Sequence, residues 1–180
     1  MVNLPNALSL IRIFLVPVIV VLLIPSPRPY DLAAAAVFLA AVLTDWLDGR
    51  IARSTRQVTA LGKLLDPVAD KILIAASLIS LVQVDRVPAW MVALIVCRDL
   101  AVTGLRGIAA AQNVIIQAAD LGKATMIAEV VAVSFLIVNW APVWVPLGQG
   151  VLAVAILLSV TSGALYFQKF WRCFYAAKQS

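Results

Sequence analysis

The sequence predicts an all-α integral membrane protein in which six transmembrane helices form a bundle with a polar cavity that faces the cytoplasm. Three observations predict this class: an apolar composition, six long apolar stretches and one cluster of carboxylates. Of the 180 residues, 63% are hydrophobic and 13% are charged. A soluble domain is usually about half apolar and about a quarter charged, so the composition alone indicates a membrane protein.

The charge and the cysteine pattern narrow the class further. The net charge of +5 fits basic cytoplasmic loops and contact with anionic lipid head groups, and no nucleic acid is expected as a partner. The chain has no histidine, and Cys97 and Cys173 lie in or beside apolar stretches without a CxxC spacing. A zinc site, a disulfide framework and a histidine-based catalytic triad are therefore not predicted.

The first three predicted helices follow from apolar runs of about 20 residues, the length that crosses a bilayer. The first covers 8–24 and ends at the proline-rich segment 25–29, because proline cannot continue a helix. Arg12 interrupts this run and no small-residue cleavage site follows it, which favours a retained helix over a cleaved signal peptide. The second helix covers 31–52 and the third covers 62–84.

The last three predicted helices follow the same rule. The fourth covers 88–111, with Pro88 in the first turn, where a missing N–H is tolerated. The fifth covers 121–140 and the sixth covers 146–170. Short connections make neighbouring helices antiparallel, and no repeat, linker or low-complexity segment divides the chain. A single membrane-embedded domain over 1–180 is therefore expected.

The basic residues predict the orientation of the bundle. One side of it holds most of them: Arg50, Arg53, Arg56, Lys63, Arg106, Lys123, Lys169, Arg172 and Lys178. The opposite side holds only Arg28 and Arg86, each near an aspartate. The positive-inside rule places the basic side and both termini in the cytoplasm. A multi-pass protein of the inner (cytoplasmic) membrane is therefore predicted.

Two pairs of carboxylates lie at the cytoplasmic ends of the second and third predicted helices. Asp45 and Asp48 are three residues apart, and Asp66 and Asp70 are four apart, so each pair shares one helix face. Because the two helices are consecutive and antiparallel, the four carboxylates can converge on one cavity. Unpaired, they would repel one another, whereas hard divalent cations such as Mg²⁺ prefer oxygen ligands and also bind substrate phosphates. The pattern predicts a divalent-metal site that handles a diphosphate.

The neighbours of these acids support a ligand site. Gly49 and Gly62 leave room for backbone or ligand beside the carboxylates, and Arg53 is placed one turn later, where it could pair with a phosphate. Two other classes also put acids in apolar helices: an ion-coupled transporter, and a structural membrane protein whose acids are merely interfacial. No inverted repeat supports a transporter, and a structural protein would not need four converging carboxylates.

The same stretch resembles a known signature. It matches the pattern D-x-x-D-G-x-x-A-R-x8-G-x3-D-x3-D at all eight fixed positions. These positions are Asp45, Asp48, Gly49, Ala52, Arg53, Gly62, Asp66 and Asp70. The pattern is that of the CDP-alcohol phosphotransferase family, membrane enzymes that transfer a phosphatidyl-type group from a CDP-linked lipid to an alcohol and release CMP. The resemblance implies six helices, a cytoplasm-facing site and a homodimer, with the apolar faces of helices three and four as candidate contact surfaces.

The resemblance also implies roles for the matching residues. Asp45, Asp48 and Asp66 match metal ligands, and Asp70 matches a residue that is both a ligand and the general base. Two divalent ions per active site, Mg²⁺ or Mn²⁺, are implied, with Asp45 and Asp66 touching both. The positions that match the CDP-binding part of the site are Gly49, Arg53 and Thr59, with Ala52 and Gly62 in the same motif.

Polar residues before and within the first apolar run are further candidates. Asn6 and Arg12 are predicted to contact the cytidine diphosphate or the lipid head group. The alternative is that they are a helix cap and a side chain that snorkels to the interface.

Three other segments resemble the bacterial phosphatidylglycerophosphate synthases of this family: NLPNALSLIRIFLVP near the N-terminus, GKLLDPVADK at 62–71 and RDLAVTGLRGIAA at 98–110. This resemblance implies CDP-diacylglycerol and sn-glycerol 3-phosphate as substrates. One segment departs from it, because the synthases usually show G-K-x-K-T-x-x-Q where this chain has GKATMIAE at 122–129. Phosphatidylinositol-phosphate synthase, and cardiolipin synthase with phosphatidylglycerol as acceptor, therefore stay open as alternatives.

Basic residues on the fourth and fifth predicted helices suit an anionic acceptor. Arg106, Lys123 and Arg98 would be costly in lipid without an anion, and an acceptor phosphate would satisfy them. The alternative is that Arg98 pairs with Asp99 or another buried acid, while the other two anchor the cytoplasmic side of the bundle. Lys71 is open to both interpretations.

Overall fold

The structure, a computed structural model, describes the backbone of residues 4–24, 30–55, 60–111 and 120–177. Side chains are described for 9–24, 30–44, 67–110 and 121–172. The described part of the chain is helical throughout apart from short connections, so the predicted all-α class is confirmed.

Six helices form the described part of the chain. They are α1 (Leu4–Leu23), α2 (Asp31–Thr55), α3 (Ala60–Gln83), α4 (Ala89–Ala111), α5 (Asp120–Val138) and α6 (Trp144–Ala177). Their order and approximate bounds follow the sequence prediction, but α6 has 34 residues and extends past the predicted end at 170. Lys169, just before the predicted end, lies on the same helix as other residues that line the cavity described below.

The helices differ in how well they suit a bilayer. Leu121–Val138 and Trp144–Arg172 are long and apolar enough to cross a membrane, and Ser9–Leu23 and Asp31–Thr44 are shorter apolar segments. Large apolar side chains such as Phe14, Leu100 and Leu157 are more than 60% exposed. Apolar surface of this kind favours lipid over water as the surrounding medium, which is consistent with a membrane protein.

A dry core joins the six helices. Helix α1 packs on α2 and α3, α5 packs on α6 and α2, and α4 packs on α6. The fully buried centre contains Phe38, Leu78, Ile95, Leu136 and Leu152, which come from five different helices. Such interdigitated side chains fix how the helices sit against one another, because interiors are packed nearly as densely as crystals.

Helices α5 and α6 approach each other closely at one glycine. A Cβ atom added to Gly148 would lie 2.6 Å from the Cγ atom of Leu136. Only glycine leaves room for this approach, so the sequence sets the spacing of the α5–α6 pair at this point.

One end of the bundle is closed by a buried ion pair, here called the Asp31–Arg86 end. Arg86 Nη2 donates to Asp31 Oδ2 at 2.7 Å, and Arg86 Nη1 donates to the carbonyl oxygens of Leu136 and Ile137 at 3.2 and 2.9 Å. Gln149 Nε2 donates to the Arg86 carbonyl oxygen at 3.0 Å. The start of α2, the α3–α4 turn, the end of α5 and the start of α6 are thereby tied together.

Candidate active site

A cavity of about 260 Å³ lies at the other end of the bundle. Its walls come from the first half of α3, the second half of α4, the first half of α5 and the second half of α6. Among the side chains that the structure describes, five basic and three acidic ones line it: Lys71, Arg98, Arg106, Lys123, Lys169, Asp70, Asp99 and Glu129. The excess of positive charge in a walled cavity favours an anionic ligand.

The four predicted metal ligands, Asp45, Asp48, Asp66 and Asp70, are called the carboxylate quartet here. Of these four, the structure describes the side chain of Asp70. It lies on α3, one turn after Pro67, and lines the cavity. Arg12 Nη1 on α1 donates to Asp70 Oδ1 at 2.5 Å, and the Arg12 side chain is only 1% exposed. The Arg12 guanidinium thus ties the Asp70 carboxylate to α1 at the cavity wall.

The other three predicted metal ligands, Asp45, Asp48 and Asp66, have side chains outside the described residues. Their backbone lies on continuous helix: α2 runs unbroken through Asp45 and Asp48, and α3 runs through Asp66 and past Pro67 to Asp70. The helical spacing on which the shared faces depend is therefore present in the structure. Within the described side chains, no group of three or more His, Cys, Asp or Glu residues could hold a metal ion.

The quartet fits a divalent metal by its donor chemistry. Carboxylate oxygens are the ligands that Mg²⁺ and Mn²⁺ prefer, and Asp70 lies beside a cavity with an excess of positive charge that suits phosphate. Asp45, Asp48, Asp66 and Asp70 are the residues that would hold the metal.

The predicted CDP-binding residues fall mostly outside the described side chains. This holds for Asn6 on α1, for Gly49, Ala52 and Arg53 on α2, for Thr59, and for Gly62 on α3. Arg12 is described, and its ion pair with Asp70 places it at the α1–α3 contact next to the cavity. The Arg12 side chain is buried against Asp70 and does not extend to the surface of the bundle.

Arg98 is held by the protein itself. Its Nη1 donates to Asp99 Oδ1 at 2.9 Å, its Nε to the Ser159 carbonyl oxygen at 2.8 Å and its Nη2 to Ser162 Oγ at 3.0 Å. The pairing with Asp99 that the sequence left open is thus present, although Arg98 also lines the cavity.

Lys71 joins the same network from α3. Its Nζ lies 2.7 Å from Asp99 Oδ2, so Asp99 bridges Lys71 and Arg98. Lys71 follows Asp70 in the chain, so this network links Asp99 on α4 to the part of α3 that carries Asp70. From the sequence, Lys71 could belong either to the active site or to the membrane interface. In the structure it lines the cavity.

Arg106 and Lys123, the predicted acceptor-phosphate residues, both line the cavity. Arg106 lies over the ring of Tyr166, with its guanidinium carbon 5.8 Å from the ring centroid, in range of a cation–π interaction. The sequence analysis did not assign Tyr166 or Lys169 to the site. A signal for them exists, because Ser162, Tyr166 and Lys169 recur at helical spacing and so share one face of α6.

Comparisons with known proteins identify the family of this chain. The family model described as CDP-alcohol phosphatidyltransferase matches residues 2–161. The chain is 41% identical to the CDP-diacylglycerol–glycerol-3-phosphate 3-phosphatidyltransferase of Bacillus subtilis, with 95% of this chain and 96% of the relative covered. It is 34% identical to the enzyme of the same name in Rickettsia typhi, over 93% of this chain and 97% of that one.

A third relative is described as a probable phosphatidylglycerophosphate synthase of Mycobacterium tuberculosis. It is 36% identical, with 91% of this chain and 79% of the relative covered. The family model spans far more than half of the chain, and the family predicted from the aspartate motif is confirmed. The protein belongs to the CDP-alcohol phosphatidyltransferase family.

Proposed function

We propose that this protein transfers the phosphatidyl group of CDP-diacylglycerol to sn-glycerol 3-phosphate, forming phosphatidylglycerol phosphate and releasing CMP. The observation that carries the proposal is the cavity beside Asp70, where basic side chains outnumber acidic ones. An acceptor that is itself a phosphate needs such a cavity, whereas a neutral alcohol does not. The substrates are those named in the relatives from Bacillus subtilis and Rickettsia typhi.

The acceptor phosphate is bound by Arg106 and Lys123, with Lys169 as a further cation on α6. All three line the cavity, and charge-assisted hydrogen bonds to phosphate are the stronger kind. Arg98 has three of its donors engaged by the protein, so its contribution to the phosphate is a smaller one, from the N–H groups that remain.

Asp70 acts as the general base. Its carboxylate takes the proton of the attacking hydroxyl of the acceptor, while the hydroxyl oxygen forms a bond to the lipid-side phosphorus. The bond from that phosphorus to the CMP oxygen breaks, and CMP leaves with the electron pair. Arg12 holds the Asp70 carboxylate in place from α1.

Divalent metal is the cofactor of this reaction, as is general for the family. Two ions, Mg²⁺ or Mn²⁺, are proposed, with Asp45, Asp48, Asp66 and Asp70 as ligands. Bound there, they neutralise charge on the diphosphate and the departing CMP. Gly49, Ala52, Arg53, Thr59, Gly62, Asn6 and Arg12 are proposed to hold the CDP-lipid.

The proposed setting is the inner (cytoplasmic) membrane, which all six helices of one domain cross with both termini and the cavity on the cytoplasmic side. The excess of basic residues near the cavity supports this orientation. A homodimer is proposed through apolar residues of α3 and α4, where Ile79, Leu94 and Leu100 are more than 40% exposed.

A CMP-release assay tests the reaction. Purified protein with CDP-diacylglycerol and Mg²⁺ or Mn²⁺ is given glycerol 3-phosphate, inositol phosphate or phosphatidylglycerol. Release with glycerol 3-phosphate alone is expected. Release only with phosphatidylglycerol would identify a cardiolipin synthase, release only with inositol phosphate a phosphatidylinositol-phosphate synthase, and no release with any acceptor would refute the enzyme proposal.

A further inference from the structure

Glu129 is a buried acid that the proposed reaction does not yet use. It lies in the middle of α5, is 5% exposed and lines the cavity. Its Oε1 atom is buried and has no hydrogen-bond partner among the described residues. A buried acceptor without a partner is costly, and in a ligand cavity the missing partner is a donor on the ligand.

The neighbouring charges do not supply that donor. Lys71 and Arg98 both lie within electrostatic range of Glu129, but the contacts the structure gives them go to Asp99 and to α6. Glu129 is also close enough to Asp99 to be repelled by it. The oxygens of an ionised phosphate carry no hydrogen to donate, so the part of the ligand that meets Glu129 Oε1 must carry a donor such as a hydroxyl group.

The charges of the cavity are arranged along its length. On α4, Arg106 is seven residues after Asp99, and on the antiparallel α5, Lys123 is six residues before Glu129. At about 1.5 Å per residue the separations are about 10.5 and about 9 Å, and they run in the same direction. The cavity therefore has a basic end at Arg106 and Lys123, and a second end, here called the acidic end, where Asp99 and Glu129 lie beside Lys71 and Arg98.

The acidic end is also the end near Asp70, the proposed general base. Lys71 is next to Asp70 in the chain and its side chain contacts Asp99, so Asp70 lies close to the end that holds Asp99 and Glu129. A polyol phosphate fits this layout in one direction, with its phosphate at the basic end and its hydroxyl groups at the acidic end.

We propose that Glu129 accepts a hydrogen bond from the central hydroxyl of the acceptor while the terminal hydroxyl faces Asp70. Glu129 is then a specificity-determining residue that selects polyol phosphates over simple alkyl phosphates. This inference rests on the proposed function, because it deepens the acceptor site of that reaction.

The test combines one change in the protein with one change in the acceptor. Glycerol 3-phosphate is compared with 3-hydroxypropyl phosphate, which lacks only the central hydroxyl, in wild type, Glu129→Leu and Glu129→Gln. For wild type, kcat/KM should be about tenfold lower with the analogue, as expected for one hydrogen bond to a charged group. Glu129→Leu should lose about tenfold with glycerol 3-phosphate and show no further loss with the analogue.

Two further measurements separate acceptor recognition from structural support. Glu129→Gln keeps an acceptor oxygen and should still prefer glycerol 3-phosphate several-fold, while KM for CDP-diacylglycerol stays within about twofold in both variants. Gln149→Leu, a polar-to-apolar change at the Asp31–Arg86 end, is the matched control and should prefer glycerol 3-phosphate as strongly as wild type.

The inference is overturned if Glu129→Leu distinguishes the two acceptors as well as wild type does. If Glu129→Leu does not fold, the comparison of the two acceptors in wild type still tests the inference. Equal kcat/KM for glycerol 3-phosphate and 3-hydroxypropyl phosphate would overturn it, because a contact to the central hydroxyl would then contribute nothing. Absence of CMP release by wild type with glycerol 3-phosphate is a different result, which refutes the proposed reaction itself.

Discussion

The two ends of the bundle both bury charged side chains, but they use them differently. At the Asp31–Arg86 end, one cation faces one anion, and two carbonyl oxygens accept from the guanidinium group. At the cavity end, eight charged side chains surround open volume, and a buried oxygen of Glu129 has no partner among the described residues. The first arrangement joins helices, whereas the second also leaves open volume in which the proposed ligand would fit.

The contrast also separates two roles of arginine. Arg86 and Arg98 each bond to an aspartate and to main-chain carbonyl oxygens. Arg86 does so within a closed end of the bundle, while Arg98 does so in a cavity wall. Substitutions at the two ends should therefore affect different quantities, stability at one end and turnover or acceptor affinity at the other.

Asp70→Asn should have the largest effect on catalysis. Loss of a general base typically lowers the rate about 10²- to 10⁴-fold, and the amide keeps the size of the side chain. We expect kcat for CMP release to fall by that factor, while the affinity for CDP-diacylglycerol falls much less. Unchanged activity would remove Asp70 from the role of base.

Arg86→Met should have the largest effect on stability. It leaves the buried Asp31 carboxylate without its partner, and breaking a buried ion pair costs about 3–5 kcal/mol. Thermal unfolding in detergent should show a lower Tm, with activity per folded molecule close to wild type. The double variant Asp31→Leu/Arg86→Met should recover part of the loss, because it leaves no buried charge. A selective loss of acceptor affinity in Arg86→Met would show that the two ends are not separate.

Arg106→Gln and Lys123→Gln should each raise KM for glycerol 3-phosphate about tenfold, the effect of losing one charged hydrogen bond. KM for CDP-diacylglycerol should change by less than about threefold. Arg172→Gln is the control, because Arg172 lies on α6 near its end, is exposed and does not line the cavity. Equal increases in KM for both substrates would indicate a general electrostatic effect and not an acceptor site.

Gly148→Ala should have the smallest of these effects, a destabilisation of about 1–3 kcal/mol from overpacking against Leu136. Gly150→Ala, two residues later on α6, meets nothing within 4 Å and should be neutral or slightly stabilising, as alanine is preferred in helices. Chemical or thermal unfolding of the pair measures the difference. Equal stability of the two variants would show that the α5–α6 approach does not restrict the side chain at 148.

The sequence was sufficient for features that depend on local pattern. Apolar runs predicted the six helices, and the spacing of Asp66 and Asp70 predicted a shared face on α3, which is continuous through both positions. The aspartate motif also predicted the family, since its fixed positions are closely spaced along the chain.

Features that depend on which helices pack together could not be predicted. Nothing in the sequence pairs Arg12 with Asp70, because the two are 58 residues apart and meet only through the α1–α3 contact. The same holds for Lys71, Asp99 and Glu129, which come from three helices. Helical periodicity indicates the face on which a residue lies, but not the partner that this face meets.

The most direct test of the central claim, that the cavity end selects a phosphate-bearing acceptor, is CMP release by wild type with glycerol 3-phosphate and with glycerol. The two acceptors share their hydroxyl groups and differ only in the phosphate that Arg106 and Lys123 are proposed to bind. We predict release from CDP-diacylglycerol with glycerol 3-phosphate and at least about a hundredfold lower kcat/KM with glycerol, the combined effect of two charged contacts. Equal rates with the two acceptors would contradict the claim.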